Sequence, residues 1–94
     1  MQFQHIDNTD KGEFFLENEQ GQRIAEISYV WRDAHKIVAD HTWVDDSLRG
    51  QGVARQLLDT LVDFAREKQL KIIPTCSYVD VMFRREKSFA DVML

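Results

Sequence analysis

The chain is 94 residues long, 44% hydrophobic and 11% aromatic, with a formal net charge of −4 at pH 7. That is enough for one domain with a packed core, residues 1–94, and too little for two. Acidic and basic residues are interspersed, which excludes the basic stripe of a nucleic-acid binder; a single cysteine excludes an internal disulfide and a Cys-rich zinc site.

No apolar run approaches the length that spans a bilayer. Met1 to Asn8 carries neither a basic segment nor an apolar run, so a cytoplasmic protein without a membrane anchor is expected. The lone cysteine fits a reducing compartment. No repeat or low-complexity stretch marks an internal boundary. Residues 2–6 alternate weakly and read as a short first strand, and Asp7 to Gly12 as a turn carrying Asn8, Asp10 and Gly12. Glu13 to Glu17 and Gln22 to Trp31 read as strands joined by a hairpin turn at Asn18 to Gly21. Ala25, Ile27, Tyr29 and Trp31 share one face of the second. After a turn at Arg32 to His35, Lys36 to Val44 is a further strand, with Ile37, Ala39, His41 and Trp43 on one face. Short turns between consecutive strands predict an antiparallel meander.

The period changes at Gly52. Ala54, Leu57, Leu58, Leu61, Phe64 and Ala65 recur at three and four, with Gln56, Asp59, Asp63 and Glu67 opposite. This predicts an amphipathic helix to about Lys68. Lys71 to Thr75 is a short strand that Pro74 brings to an end. Ser77 is placed to cap a second helix, with Asp80 in the capping-box position and Val79, Met82 and Phe83 buried. Ser88 to Leu94 is apolar enough to pack but receives no element. The crossover from Lys36–Val44 to Lys71–Thr75 makes that strand pair parallel. The expected class is therefore α+β: an antiparallel meander with one parallel pair and helices packed on the sheet.

The most informative stretch lies between Val44 and the first helix. A strand, a glycine-bearing turn and a helix start in that order build an anion site. First-turn N–H groups lack intrahelical acceptors, and the helix dipole adds positive charge there. Gly50 and Gly52 let the backbone take positive φ and approach a ligand. The loop has no Gly-Lys-Ser/Thr of a P-loop and lacks the spacing of a dinucleotide fingerprint. It does fit Arg/Gln-x-x-Gly-x-Gly/Ala, as Arg49, Gly50, Gln51, Gly52, Val53 and Ala54. This resembles the acetyl-CoA pyrophosphate loop of the GNAT superfamily of N-acetyltransferases. His41 to Val44 ahead of the loop and Pro74 to Val79 behind the helix are similar to the small, single-domain members. In those, a histidine of the fourth strand and a cysteine at the end of the fifth face the cofactor. The resemblance covers residues 13–90.

It implies a GNAT-like acyl-CoA N-acyltransferase fold with a splayed parallel pair, and acetyl-CoA or coenzyme A as the donor. Backbone N–H groups of Gly50 to Ala54 would hold the pyrophosphate, bounded by Arg49. Those of Thr42, Trp43 and Val44 would polarise the thioester carbonyl. Phe83 and Arg84 of the second helix join the cofactor-binding set, and no metal is implied. Cys76 lies just after a Pro-terminated strand at a helix start, where a thiolate is stabilised; its alternative is a small buried hydrophobe. His41, within reach of Cys76 if the parallel strands are neighbours, would be its base, the alternative being a satisfied core histidine. Tyr78 would protonate the departing CoA thiolate, or simply pack. His5 and His35 read as solvated.

One departure is evident. Full-size GNAT proteins place two helices between their first and second strands, and the stretch from Ile6 to Glu13 is too short for one. The expected activity is transfer of acetyl to a primary amine, of a peptide, a protein or a polyamine, by a monomer or weak dimer with no nucleic-acid or membrane partner. Direct attack and an acetyl-Cys76 intermediate both stay open. The rival readings are a CoA-binding module without catalysis of its own and a structural domain that binds nothing.

Overall fold

A computed structural model describes residues 2–94. The strands are β1 (Gln4–Asp7), β2 (Lys11–Glu17), β3 (Arg23–Asp33), β4 (Lys36–Val44) and β5 (Lys71–Pro74). They form one sheet in the order β1-β2-β3-β4-β5. The first three pairings are antiparallel, and β4 with β5 is parallel. Helix α1 (Val53–Lys68) makes the crossover between β4 and β5, and α2 (Ser77–Arg85) follows β5. A 3₁₀ turn at Asp46–Leu48 precedes α1. The last residues, left unassigned from sequence, form a second 3₁₀ segment, Lys87–Val92, and Met93 bridges to Ile72.

Both helices pack on one face of the sheet. The apolar stripe of α1 supplies Leu57, Leu58, Leu61 and Ala65, fully buried against Ala25, Ile27 and Tyr29 of β3 and Ile37 and Ala39 of β4. Each large aliphatic side chain buried this way contributes about 1.5–3 kcal/mol, which is what holds an α1 with no side-chain cap at its start. The helix ends at Gln69, in the left-handed conformation. The N–H of Leu70 then returns to the carbonyl of Ala65 at 2.8 Å. Opposite the helices the sheet is bare, with Ile6, Val30 and Trp43 exposed among polar side chains. Phe15 is buried on that side, beneath the Arg23 guanidinium 3.7 Å from its ring centroid.

Two expectations need correction. Ser77 is the first residue of α2 rather than its cap: the cap position is Cys76, with no side-chain hydrogen bond. The second correction concerns β4. Its register with β3 pairs Ser28 with His41 but Tyr29 with Ala39, leaving Asp40 as a bulge. An extra residue reverses the side-chain alternation beyond it. Ile37 and Ala39 face the core as expected. His41 and Trp43, opposite Ser28 and Glu26, face the bare side instead, while Thr42 and Val44, opposite Ile27 and Ala25, face the helices. The physical reason is that strict alternation would have pushed an imidazole and an indole into the helix-packed core, and the bulge at Asp40 puts them in solvent.

Candidate active site

The site grows from the point where β4 and β5 part. Their pairing ends at Ala39 opposite Pro74. Proline offers no N–H to continue a ladder, and the bulge rotates β4 at the very next residue. The Ala39 carbonyl closes the junction, accepting from the N–H of Thr75 (3.1 Å), the N–H of Cys76 (2.9 Å) and the Thr75 hydroxyl (3.2 Å). Beyond this pin, β4 runs from Asp40 to Val44 with β3 on one side and no strand on the other. The Asp45 N–H bonds to Ile24 of β3. Alternation along an antiparallel strand therefore aims the N–H groups of Thr42 and Val44 away from β3, into the gap.

At the far end of β4 the chain turns through Asp45, whose carboxylate caps the 3₁₀ turn by accepting from the Ser47 N–H at 3.0 Å. Gly50 and Gly52 follow with φ of 83° and 69°. A Cβ on either would meet nothing within 4 Å, so the backbone there lies open. Gly52 caps α1 without a side-chain hydrogen bond, and the first intrahelical bond runs from Gln56 N–H to the Gly52 carbonyl. Hence the N–H groups at the start of α1 stay available. A pocket of about 240 Å³ lies over them, lined by Val44, Leu48, Arg49, Gly50, Val53 and Ala54. Gln51 is exposed beside it. Arg49 pairs with Asp46 at 2.8 Å, but both side chains are more than three-quarters exposed. Such a pair is worth little, so the guanidinium is free to swing to another anion.

Cys76 is buried at the start of α2, and its thiol donates to the Thr42 hydroxyl across 3.3 Å. Tyr78, the second residue of α2, is half-buried; desolvation raises its pKa against the opposing charge of Arg55. Arg55 makes a bidentate pair with Glu86 and a 3.0 Å bond to Asp59, tying the end of α2 to the start of α1. The splay thus brings together Thr42, Val44, Cys76 and the loop from Arg49 to Ala54.

Other expected residues lie elsewhere. His41 is more than half exposed on the bare face, with Nε2 3.6 Å from a Glu26 carboxylate oxygen. Trp43 exposes its indole on that same side, leaving only its backbone at the splay. Phe83 is core, its ring centroid 5.4 Å from that of Phe89. Arg84 points outward to Asp80 at 3.2 Å. The Thr42 side chain was missed from sequence because strict alternation turned it outward. The one available signal was an aspartate directly after the apolar run Ile37 to Ala39 of the strand. Among the described residues no His, Cys, Asp and Glu cluster could hold a metal ion, and no helix is long and apolar enough to cross a membrane.

Residues 13–92 match a family model described as GCN5-related N-acetyl-transferase. A GCN5-like protein from Staphylococcus aureus is 40% identical, with a TM-score of 0.75, over 97% of this chain and 87% of that one. Protein NATD1 of Xenopus tropicalis is 34% identical over 55 residues, 58% of this chain and 50% of its own length. This chain matches only about half the length of that relative. A GNAT acetyltransferase from Elizabethkingia anophelis, with acetyl-CoA bound, shares the fold at 16% identity, with a TM-score of 0.62, covering 82% of this chain and 52% of that one. Acetyl-CoA is the acyl donor of this family. The match over residues 13–92, nearly all of the chain, leads to one conclusion: the chain belongs to the GCN5-related N-acetyltransferase family.

Proposed function

We propose that this chain binds acetyl-CoA at the β4–β5 splay and transfers its acetyl group to a primary amine of a peptide, a protein or a polyamine. The observation that carries the reading is the grouping of three features around the splayed end of β4. They are the outward N–H groups of Thr42 and Val44, the uncapped start of α1 beyond the left-handed glycines, and the Cys76 thiol. Together they suit a ligand that carries both an anionic group and a reactive carbonyl. Acetyl-CoA supplies the thioester.

The residues divide the proton work between the two faces of the sheet. On the bare face, His41 stands beside Glu26, placed to take the proton from an incoming ammonium. Glu13, Glu26 and Asp40 line or adjoin a cleft of about 280 Å³ on this face, which favours a cationic acceptor. Amine nitrogen then attacks the thioester carbonyl carbon, the N–H groups of β4 stabilise the negative charge that develops on its oxygen, and the nitrogen gives up its second proton to solvent as the amide forms. When the C–S bond breaks, Tyr78 or Cys76 on the helix side delivers a proton to the CoA sulfur. A tyrosine is protonated at neutral pH, and desolvation moves the Tyr78 pKa further up. The Cys76 thiol donates to Thr42 while His41 faces the other way, which favours direct attack over an acetyl-Cys76 intermediate. Single-turnover acetyl-CoA followed by intact-mass measurement tests this. A mass gain of one acetyl group that disappears in Cys76→Ser would overturn direct attack.

A second reading has its own observation. β1 and β2 are joined by a turn at residues 8–10, so no helix of this chain walls the acceptor side. A CoA-binding module that acts only with a partner has the same features. Turnover of acetyl-CoA by the isolated chain against a broad amine panel separates the two: transfer supports the enzyme, and binding without transfer supports the module.

A further inference from the structure

Outside the splay, β1, β3 and α1 enclose a concavity of about 540 Å³ that the acetyl-transfer reading does not use. It is lined by His5, Asp7, Trp31, Phe64, Glu67 and Lys68. Behind Asp7 lies the Tyr29 hydroxyl, on a side chain with no exposed surface. That hydroxyl donates to Asp7, and the Trp31 Nε1–H donates to the same carboxylate oxygen at 3.1 Å. His5 Nε2 lies 2.8 Å from the Tyr29 oxygen. Two donors on Oδ2 hold the Asp7 carboxylate in one orientation, and among the described residues no side chain donates to Oδ1. Trp31 and Phe64 are half-buried, with ring planes 72° apart and centroids separated by 6.4 Å. They make two nearly perpendicular aromatic walls. Among the ion pairs of the described residues, none involves Asp7, Glu67 or Lys68.

An oriented carboxylate beside perpendicular ring faces is an arrangement for an organic cation: the rings attract its positively polarised alkyl groups, and the carboxylate takes an N–H. We propose that this concavity binds a methylated ammonium group that retains an N–H, such as the head of a dimethylated lysine side chain or a free methylamine. The N–H bonds to Asp7 Oδ1, the methyl groups lie on Trp31 and Phe64, and Glu67 adds negative charge at the rim. A primary ammonium has no methyl groups for the rings, and a quaternary one has no N–H for Asp7. Lys68 carries a like charge at the rim and opposes the ligand.

The test uses the ¹⁵N-labelled full chain and follows the Trp31 indole N–H resonance, since that group bonds to Asp7. The probes are dimethyllysine amide, its unmodified and trimethylated counterparts, and dimethylammonium chloride. A saturable shift is expected with dimethyllysine amide, bound at least about threefold more tightly than its two counterparts. Equal binding of dimethylammonium supports the site with a free amine as its source; weaker binding supports it with a side chain. Asp7→Asn should abolish binding, Glu67→Gln should weaken it about threefold, and Lys68→Ala should tighten it by a similar factor. Asp7 also ties β1 to β3, whereas Glu67 is exposed on α1 without an ion pair, so Glu67→Gln keeps the test independent of folding. No saturable Trp31 shift at about 20 mM probe overturns the proposal. So does equal affinity for unmodified lysine amide, or parent-like binding by both Asp7→Asn and Glu67→Gln.

Discussion

The Cys76 thiol donates to the hydroxyl of Thr42 across 3.3 Å, joining the start of α2 to β4 just where β5 has left the sheet. That contact sits beside the outward N–H groups of Thr42 and Val44. A ligand whose reactive end reached those groups would cover the thiol. Saturating coenzyme A should therefore slow alkylation of Cys76 by iodoacetamide at least about tenfold, measured by mass spectrometry over time. Equal labelling rates with and without coenzyme A would remove Cys76 from the site.

Gly52 has φ of 69° and nothing within 4 Å of a would-be Cβ. Gly52→Glu therefore has room for its side chain, at a backbone cost of about 1 kcal/mol for the left-handed conformation. Its carboxylate would stand where the α1 N–H groups face an anion. Coenzyme A affinity should fall at least tenfold, about 1.4 kcal/mol, by calorimetric titration of the folded variant. A folded Gly52→Glu that binds like the parent would contradict the loop assignment.

Gly12 matters for a different reason. A Cβ there would collide with the Tyr29 hydroxyl and lie 2.8 Å from the Ile6 carbonyl. The hydroxyl cannot retreat without giving up Asp7 and His5. Gly12→Ala should destabilise the fold by about 1–3 kcal/mol. The melting temperature should drop by roughly 4–8 °C per kcal/mol in a chain of this size. An unchanged melting temperature would mean that the Tyr29 hydroxyl does not occupy that space.

The His5 pKa lies below its ordinary 6.5, mainly through desolvation, with Asp7 opposing and Lys68 adding to the shift. The unfolded chain then binds the proton more readily than the folded one. The contribution of His5 to stability is fully present above pH 6.5 and is lost as pH falls through 6.5 toward the lowered folded value. Denaturation of the parent and of His5→Gln across this window should give a shallower slope in the variant. Identical slopes would show that His5 does not titrate differently in the two states.

Much of this protein can be read from local pattern. The three-and-four spacing from Ala54 to Ala65 places α1 and its buried face, because a 3.6-residue period stripes one side of a helix wherever the helix lies. Gly50 and Gly52 announce positive φ, and Pro74 ends β5 at the residue that lacks an N–H. The parallel pairing of β4 with β5 follows from a helical crossover between them. These are consequences of backbone chemistry within a few residues, and the sequence by itself determined them.

Which side chains meet at the site was decided by tertiary structure. One unpaired residue, Asp40, exchanges the faces of His41 and Thr42. Whether a strand absorbs an extra residue depends on the partner strand and on what packs against each face, neither of which is encoded locally. The same holds for the cluster of His5, Asp7, Tyr29 and Trp31. His5 is exposed on the edge strand, as expected, and pairing β1 with β2 also stacks it on Phe14 with ring centroids 4.0 Å apart and brings it to the Tyr29 hydroxyl. Residues 22 and 24 positions apart in the chain meet there. Periodicity reports the face a residue takes within its own element; contacts between elements follow only from how those elements pair and pack.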